Sequence, residues 1–369
     1  MDAILSHITA LEVLRRWDSF KLVRRLAPAD ITRAPRQAPD VEQLGALMSL
    51  PVLAGATLPV HVLVDGRDGR RYTDAVFSHA ALPAYPEGSL FLVAPGVACC
   101  GPELVALQMT EYATDLELTL LVDELCSHYS IQPSAEKGLV QRREPLTTLD
   151  KIRALIDALP GARGTKRLRS ALAAARERSG SPQESKTCHQ LEFPRLKGGH
   201  AIRVVGLNDP VAVERAGSVL GGAAARIRKP DLMILAPGGD VGPERGAGTR
   251  FAAVAVDYQG VYHRDSVQEG KDINRRNELL ACDVKDYEIA KEHFADVGYL
   301  DWLASRIRRD LGLAEPRLSA QEDAAYRARR HELNEKLRAI DGLHWTRRAK
   351  HLVMAGARDF LGTSIPCGR

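Results

Sequence analysis

Two short apolar runs in the second half of the chain carry one carboxylate each. The first reads Arg228-Lys229-Pro230-Asp231-Leu232-Met233-Ile234-Leu235, and the second runs from Phe251 through Val256 and is broken by Asp257. Both have the length and composition of buried strands. The Gly/Pro-rich link Pro237 to Gly248 lets them pair, which brings Asp231 and Asp257 to one sheet edge. A charge placed there is costly unless it is paired or bound to a metal. Two such carboxylates suit a hard cation such as Mg²⁺.

The rest of the pattern alternates helical and strand periods. Ile4, Ile8, Leu11 and Leu14 predict a first helix, with Pro28, Pro35 and Pro39 breaking the register after it. Val60 to Val64 and Arg71 to Phe77 predict a β-hairpin across Asp65-Gly66, and Leu90 to Val93 a further strand. Helices are expected over Pro102 to Tyr112 and Leu116 to Tyr129, and another begins at Thr147-Thr148-Leu149-Asp150 with a stripe of Ile152, Leu155, Ile156 and Leu159. A basic helix, Thr165 to Arg178, follows, read either as a solvated face or as a phosphate-contacting one. Ile202, Val204 and Val205 predict a strand, Val284 to Ile289 a later strand, and Phe294, Val297, Leu300, Leu303, Ile307 and Leu311 the buried stripe of a late helix. The expected organisation is an N-terminal helical segment at 1–50, a small α+β domain at 51–145, a mixed α/β sheet flanked by helices at 146–312, and a basic helical extension at 313–369, α+β in all.

Composition narrows the class. The chain has 369 residues, 45% of them apolar, enough for more than one core. It contains no apolar run of membrane-spanning length, and the opening MDAILSHITALEVLRRW has no signal-peptide pattern. A cytoplasmic protein is expected. Six cysteines without C-x-x-C spacing indicate neither a zinc site nor a disulfide framework. The net charge of +4 conceals basic clusters, the strongest from Arg327 to Lys350, where Leu333, Leu337, Ile340, Leu343 and Trp345 form an apolar stripe. That helix is either an ordinary surface helix or one whose basic face meets a phosphate backbone. The glycines from Gly238 to Gly248 lack the ending of a nucleotide loop.

The order Glu184, Pro230-Asp231, Asp257-x-Gln259, His263, followed by Asp272-Ile273-Asn274-Arg275-Arg276, resembles the PD-(D/E)XK nuclease superfamily in its Vsr-like endonuclease branch over residues 180–312. The preceding region, with His79 and Pro102-Glu103-Leu104, is similar to that of AbiEi-type antitoxin relatives. The resemblance implies a restriction-endonuclease-like sheet, DNA as partner, and Mg²⁺ or Mn²⁺ held by Asp231 and Asp257. It also implies catalytic roles for Glu184, Gln259 and His263, and phosphate contacts by Arg228, Lys229, Arg275 and Arg276. Asp257 stands where the branch has Glu, and Gln259 where it has an acid or lysine. An amide orients a water but is no general base, so proton transfer falls to His263.

Other readings of the same residues remain. Ser181-Pro182-Gln183-Glu184 is also a capping box, Asp272 is also a helix N-cap with Arg275 and Arg276 on an exposed turn, and Asp231 and Asp257 also fit structural pairs with Arg228 or Lys229. Two functions are carried forward: a metal-dependent endonuclease, and a DNA-binding regulator or antitoxin-like protein on the same scaffold.

Overall fold

The computed structural model describes residues 3–16, 24–26, 34–66, 68–213, 226–237, 251–259 and 266–343. The chain forms two compact units, Met1–Ala175 with Asp341–Arg369, and Arg176–Ile340. The expected limits at 50, 145 and 312 fall inside these units. The fold is α+β. Among the described residues no helix is long and apolar enough to cross a membrane.

The first unit contains β1 (Ala3–Leu5), α1 (His7–Arg15), β2 (Arg24–Leu26), α2 (Val41–Met48), β3 (Val60–Val64), β4 (Val76–Ala80), β5 (Leu90–Ala94) and β6 (Val97–Cys100). It continues with α3 (Pro102–Gln108), α4 (Asp115–Leu125), β7 (Tyr129–Ile131), β8 (Leu139–Gln141), α5 (Leu149–Ala158) and α6 (Thr165–Leu172). Six strands form one sheet in the order β2-β5-β6-β1-β3-β4, while β7 and β8 pair separately. The predicted first helix therefore starts later than its apolar pattern suggests. Ile4 belongs to β1, which lies parallel to β6 and antiparallel to β3 in the middle of the sheet. The predicted hairpin is also corrected, because β3 and β4 run parallel. Thr73 explains the reversal. Its hydroxyl accepts from the amides of Ala75 and Val76, at 3.2 and 3.0 Å, and its own amide donates to the Val76 carbonyl at 2.9 Å. This tight turn inverts the chain just before β4. The α5 stripe is as expected, with Ile152, Leu155 and Ile156 buried.

The second unit comprises α7 (Pro182–Glu192), β9 (Gly206–Leu207), β10 (Val211–Val213), β11 (Arg226–Arg228), β12 (Leu232–Leu235), β13 (Ala253–Gln259), α8 (Ser266–Ala281), β14 (Val284–Ala290), α9 (Lys291–Ala295), α10 (Val297–Asp310) and α11 (Ala320–Ala339). Its main sheet has the order β14-β13-β12-β9. The two acid-bearing runs do pair, antiparallel, with Leu232 opposite Val256. β14 lies parallel to β13, with Asp257 opposite Glu288. The first run is split in two, because β11 pairs with β10 and β12 begins only after Asp231. Pro230 accounts for the break, as it has no amide to donate and restricts the residue before it.

Alternation along the strands separates two layers. Leu232, Ile234, Val254, Val256 and Ile289 pack with Leu303 and Ile307 of α10 and with Leu191 of α7. Met233, Ala253, Ala255 and Val284 pack with Leu279 of α8. Asp257, Gln259, Asp286 and Glu288 follow Ala255 or its neighbour on β14 by steps of two, so they continue the α8 layer. The helix predicted from Asp272 begins at Ser266, which places Asp272 inside α8 rather than at its N-cap. In α11, Leu333 and Leu337 are buried, and Ile340 just beyond its end is buried with them, as the stripe predicted, while Trp345 lies outside the described residues.

Candidate functional site

Each of the two aspartates accepts, through its carboxylate, a backbone amide of the segment facing it. The Asp231 amide donates to Asp257 Oδ1 at 2.8 Å, and the Tyr258 amide donates to Asp231 Oδ2 at 2.7 Å. Antiparallel pairing of β12 and β13 makes this exchange possible, since Asp231 and Asp257 lie one position beyond the Leu232–Val256 pair. Asp257 is 3% exposed, so its charge needs compensation from the protein.

Glu184 reaches the same place from α7. The Ser181 hydroxyl caps the helix by accepting from the Glu184 amide at 3.2 Å. The Glu184 carboxylate, however, does not turn back to the Ser181 amide as a capping box would require. Its Oε2 accepts from the Gly180 amide at 2.6 Å and from Asn208 Nδ2 at 2.7 Å. Capping and site assembly are thus divided between backbone and side chain of one residue. Gly180 permits the close approach, because a Cβ there would sit 3.0 Å from Glu184 Oε1. Asn208 is fixed by a second bond, from Nδ2 to the Arg178 carbonyl at 3.0 Å, and occupies the left-handed region at φ 53° that Asn tolerates.

The acids repel one another. Burial, then the charges of Glu184 and Asp257, push Asp231 up to about 8, against the Tyr258 amide and Arg275. Burial raises Asp257 as well, although Arg275 and the Asp231 amide oppose it. Glu184 is raised by burial and by Asp257, with its hydrogen bonds working in the other direction. Asp286 on β14 is pushed up to about 7 by burial and then by Asp257, and its Oδ1 is buried without a hydrogen-bond partner. Protons therefore do at this site what a bound cation would do, which is to neutralise carboxylates that cannot all stay ionised.

The predicted phosphate-binding cations are largely engaged with acids. Arg275 Nη2 sits 2.6 Å from Asp257 Oδ2 and donates to the Lys229 carbonyl at 3.1 Å. Arg276 pairs with Glu288. Arg228 binds Glu278, which is 2% exposed, at 2.6 Å. Asp257 thus has an arginine partner, but it is Arg275 of α8 rather than Arg228 or Lys229. Lys229 is exposed, and Gln259, at the end of β13, is half-buried. His263 lies outside the described residues.

Sequence reasoning missed Asp286, Glu288 and Asn208. The first two were legible only as charges interrupting a strand, and nothing in the chain announces the parallel register that sets Glu288 beside Asp257. Among the described residues, one group of three ligand-type side chains has its donor atoms all within 4.8 Å of one another, and it is His7, His61 and His79 of the first unit, not the carboxylates. No family model, curated protein or solved structure matches this chain at a significant level.

Proposed function

We propose that the second unit is a metal-dependent nuclease module that hydrolyses DNA phosphodiester bonds at the Asp231–Asp257 edge. The observation that carries this reading is the meeting of Glu184, Asp231 and Asp257 from α7, the start of β12 and β13, with all three carboxylates raised by burial and each further raised by a neighbouring acid, Glu288 in the case of Asp257. Buried acids that repel one another fit a hard divalent cation. Asp231 and Asp257 would hold Mg²⁺ or Mn²⁺, and the cation would supply charge stabilisation and an activated water. Glu184, fixed by Gly180 and Asn208, orients that water from the α7 side. Gln259 lies two residues past Asp257 on the same face of β13 and directs it through its amide. The reading gives proton transfer to His263 on sequence grounds, and the site of action to the cytoplasm.

A second reading rests on the Arg275–Asp257 pair. A guanidinium 2.6 Å from the Asp257 carboxylate already neutralises it. With Gln259 in place of an acid or lysine, the same scaffold serves as a DNA-binding regulator or antitoxin-like protein with a toxin or other protein partner.

Plasmid and single-stranded DNA incubated with Mg²⁺ or Mn²⁺ separate the two. Cutting by the unaltered protein that disappears in Asp257→Ala supports the nuclease. Salt-sensitive DNA binding with no cutting in either metal supports the regulator and removes the enzyme.

A further inference from the structure

The first unit contains a second cluster of metal-ligand chemistry, unrelated to the carboxylates. His7 opens α1, His61 lies in β3 and His79 in β4. The parallel register of β3 and β4 sets His61 opposite Phe77 and Leu63 opposite His79, so both imidazoles point to one face of the sheet, two residues apart. α1 lays His7 over that face, with its ring stacked on His79 at 3.5 Å between centroids. All three side chains are buried, at 4%, 1% and 8% exposure. Tyr112 meets all three rings edge-on and holds them in place.

We propose that His7, His61 and His79, with Glu111 beside them, form a binding site for a divalent transition metal of the zinc class. One ring nitrogen from each histidine lies within 4.8 Å of the others. Glu111 Oε2 stands 3.8 Å from His7 Nε2 and 3.8 Å from His79 Nδ1. These separations are too long for hydrogen bonds, whereas His61 Nδ1 and His79 Nε2 share one at 3.0 Å, which a bound metal would replace. The Glu111 separations are close to the edge of a tetrahedron of ligands at zinc-like bond lengths, about 3.4 Å. Three imidazoles and one carboxylate are a donor set that zinc accepts.

Three further features favour a ligand over a plain imidazole stack. His7 has φ 47°, a strained conformation for a residue other than glycine, and such strain persists where the surrounding structure holds a side chain to a task. His7 is also anchored twice, through its amide to Gln108 Oε1 at 2.9 Å and through Nδ1 to Ser6 Oγ at 3.0 Å, which directs Nε2 at Glu111. This is the outer-shell pattern of a ligating histidine. Finally, His7, His79 and Glu111 line a cavity of about 440 Å³, so their ligand atoms can be reached from outside, and an entering cation would displace Arg163, which stands 3.8 Å from Glu111 Oε1.

The test uses the full chain without a polyhistidine tag. Metal content is measured after purification. Melting temperature is then followed with added Zn²⁺ or Co²⁺ and after chelation, and the Co²⁺ visible spectrum is recorded. The expected result is one equivalent of zinc, a rise in melting temperature with metal, and the intense visible bands of four-coordinate Co²⁺. Zinc should be retained by Asp257→Asn, which separates this site from the carboxylates of the second unit. Glu111→Gln, whose side chain is partly exposed, should fold and bind zinc at least about tenfold more weakly, and His79→Gln should lose it. A protein that takes up neither metal, or a folded His79→Gln or Glu111→Gln chain with unchanged zinc affinity, overturns the proposal.

Discussion

The amide of Asp231 donates to Asp257 Oδ1 at 2.8 Å, so one acid of the pair uses its backbone to hold the other's side chain. The arrangement fixes both carboxylates while leaving their repulsion in place. Asp231, raised to about 8, keeps its proton in the folded chain at pH values where the unfolded chain has lost it. The folded state therefore binds more protons between about pH 4 and 8, and stability falls as pH rises through that window. Asp231→Asn keeps an oxygen for the Tyr258 amide and lacks the titration. In metal-free buffer at pH 7 it should be more stable than the unaltered protein by about 1–3 kcal/mol, with the margin shrinking toward pH 4. Urea melts at pH 4.5, 6 and 7.5 check this, and a variant that is less stable at all three would remove the repulsion argument. Mg²⁺ or Mn²⁺ should stabilise the unaltered protein and not the variant.

Asn208 positions Glu184 through a 2.7 Å bond and occupies φ 53°. Two substitutions separate those contributions. Asn208→Gly keeps the backbone comfortable and loses the amide, so it should cost about 1 kcal/mol. Asn208→Asp keeps the shape and sets a new negative charge against buried Glu184. It should cost more than the glycine at pH 7.5 and approach it at pH 4.5, as the added carboxyl and Glu184 protonate. Denaturation of both variants at the two pH values is the check. Equal costs at pH 7.5 would show that the side-chain contact does not matter.

Arg228 and Lys229 adjoin in sequence and differ in use. Arg228 is tied at 2.6 Å to Glu278, itself 2% exposed, whereas Lys229 is exposed. Arg228→Ala should destabilise the second unit by about 2–4 kcal/mol, because it removes the guanidinium that pairs with a buried carboxylate. Lys229→Ala should leave stability within about 0.5 kcal/mol. If DNA lies along this edge, Lys229→Ala should weaken binding and flatten its salt dependence by about one counterion. Thermal melts together with DNA titrations at several salt concentrations distinguish the two roles. A normal salt slope in Lys229→Ala would place the DNA elsewhere.

Much of the second unit was readable from the chain because its strands are continuous apolar runs. Val254 and Val256 alternate with Ala253 and Ala255, and each set meets a different helix. A single acid at the end of each run marks where the core stops, which is why Asp231 and Asp257 could be located from spacing alone. The parallel neighbour was not readable. Glu288 sits opposite Asp257 through a pairing fixed by α8 and its connections, and no local residue encodes that register. The first unit misled for a related reason. Asp65-Gly66 has hairpin chemistry, yet Thr73 supplies a later turn, and β4 returns parallel to β3. The histidine cluster depends on that reversal, because His79 comes beside His61 only in the parallel arrangement.

His200 gives the second unit an acid sensitivity independent of the carboxylates. Its side chain is 7% exposed, with Nε2 3.9 Å from Asp301 Oδ1. Arg330 of α11, Arg308 of α10 and Arg195 face it. Burial first, and then these three cations, lower His200 to about 3. The unfolded chain takes up a proton near pH 6.5 while the folded chain refuses it until about pH 3, so stability falls as pH drops through that interval. His200→Gln removes the titration. The stability lost between pH 7 and pH 5 should be smaller in the variant by about 2 kcal/mol, at 1.36 kcal/mol for each unit below 6.5. Asp231 contributes its opposite slope equally to both proteins, so the difference between their urea midpoints isolates His200. Parallel curves over that range would mean that Asp301 accepts the protonated ring as an ion-pair partner, and that the arginines do not set its charge.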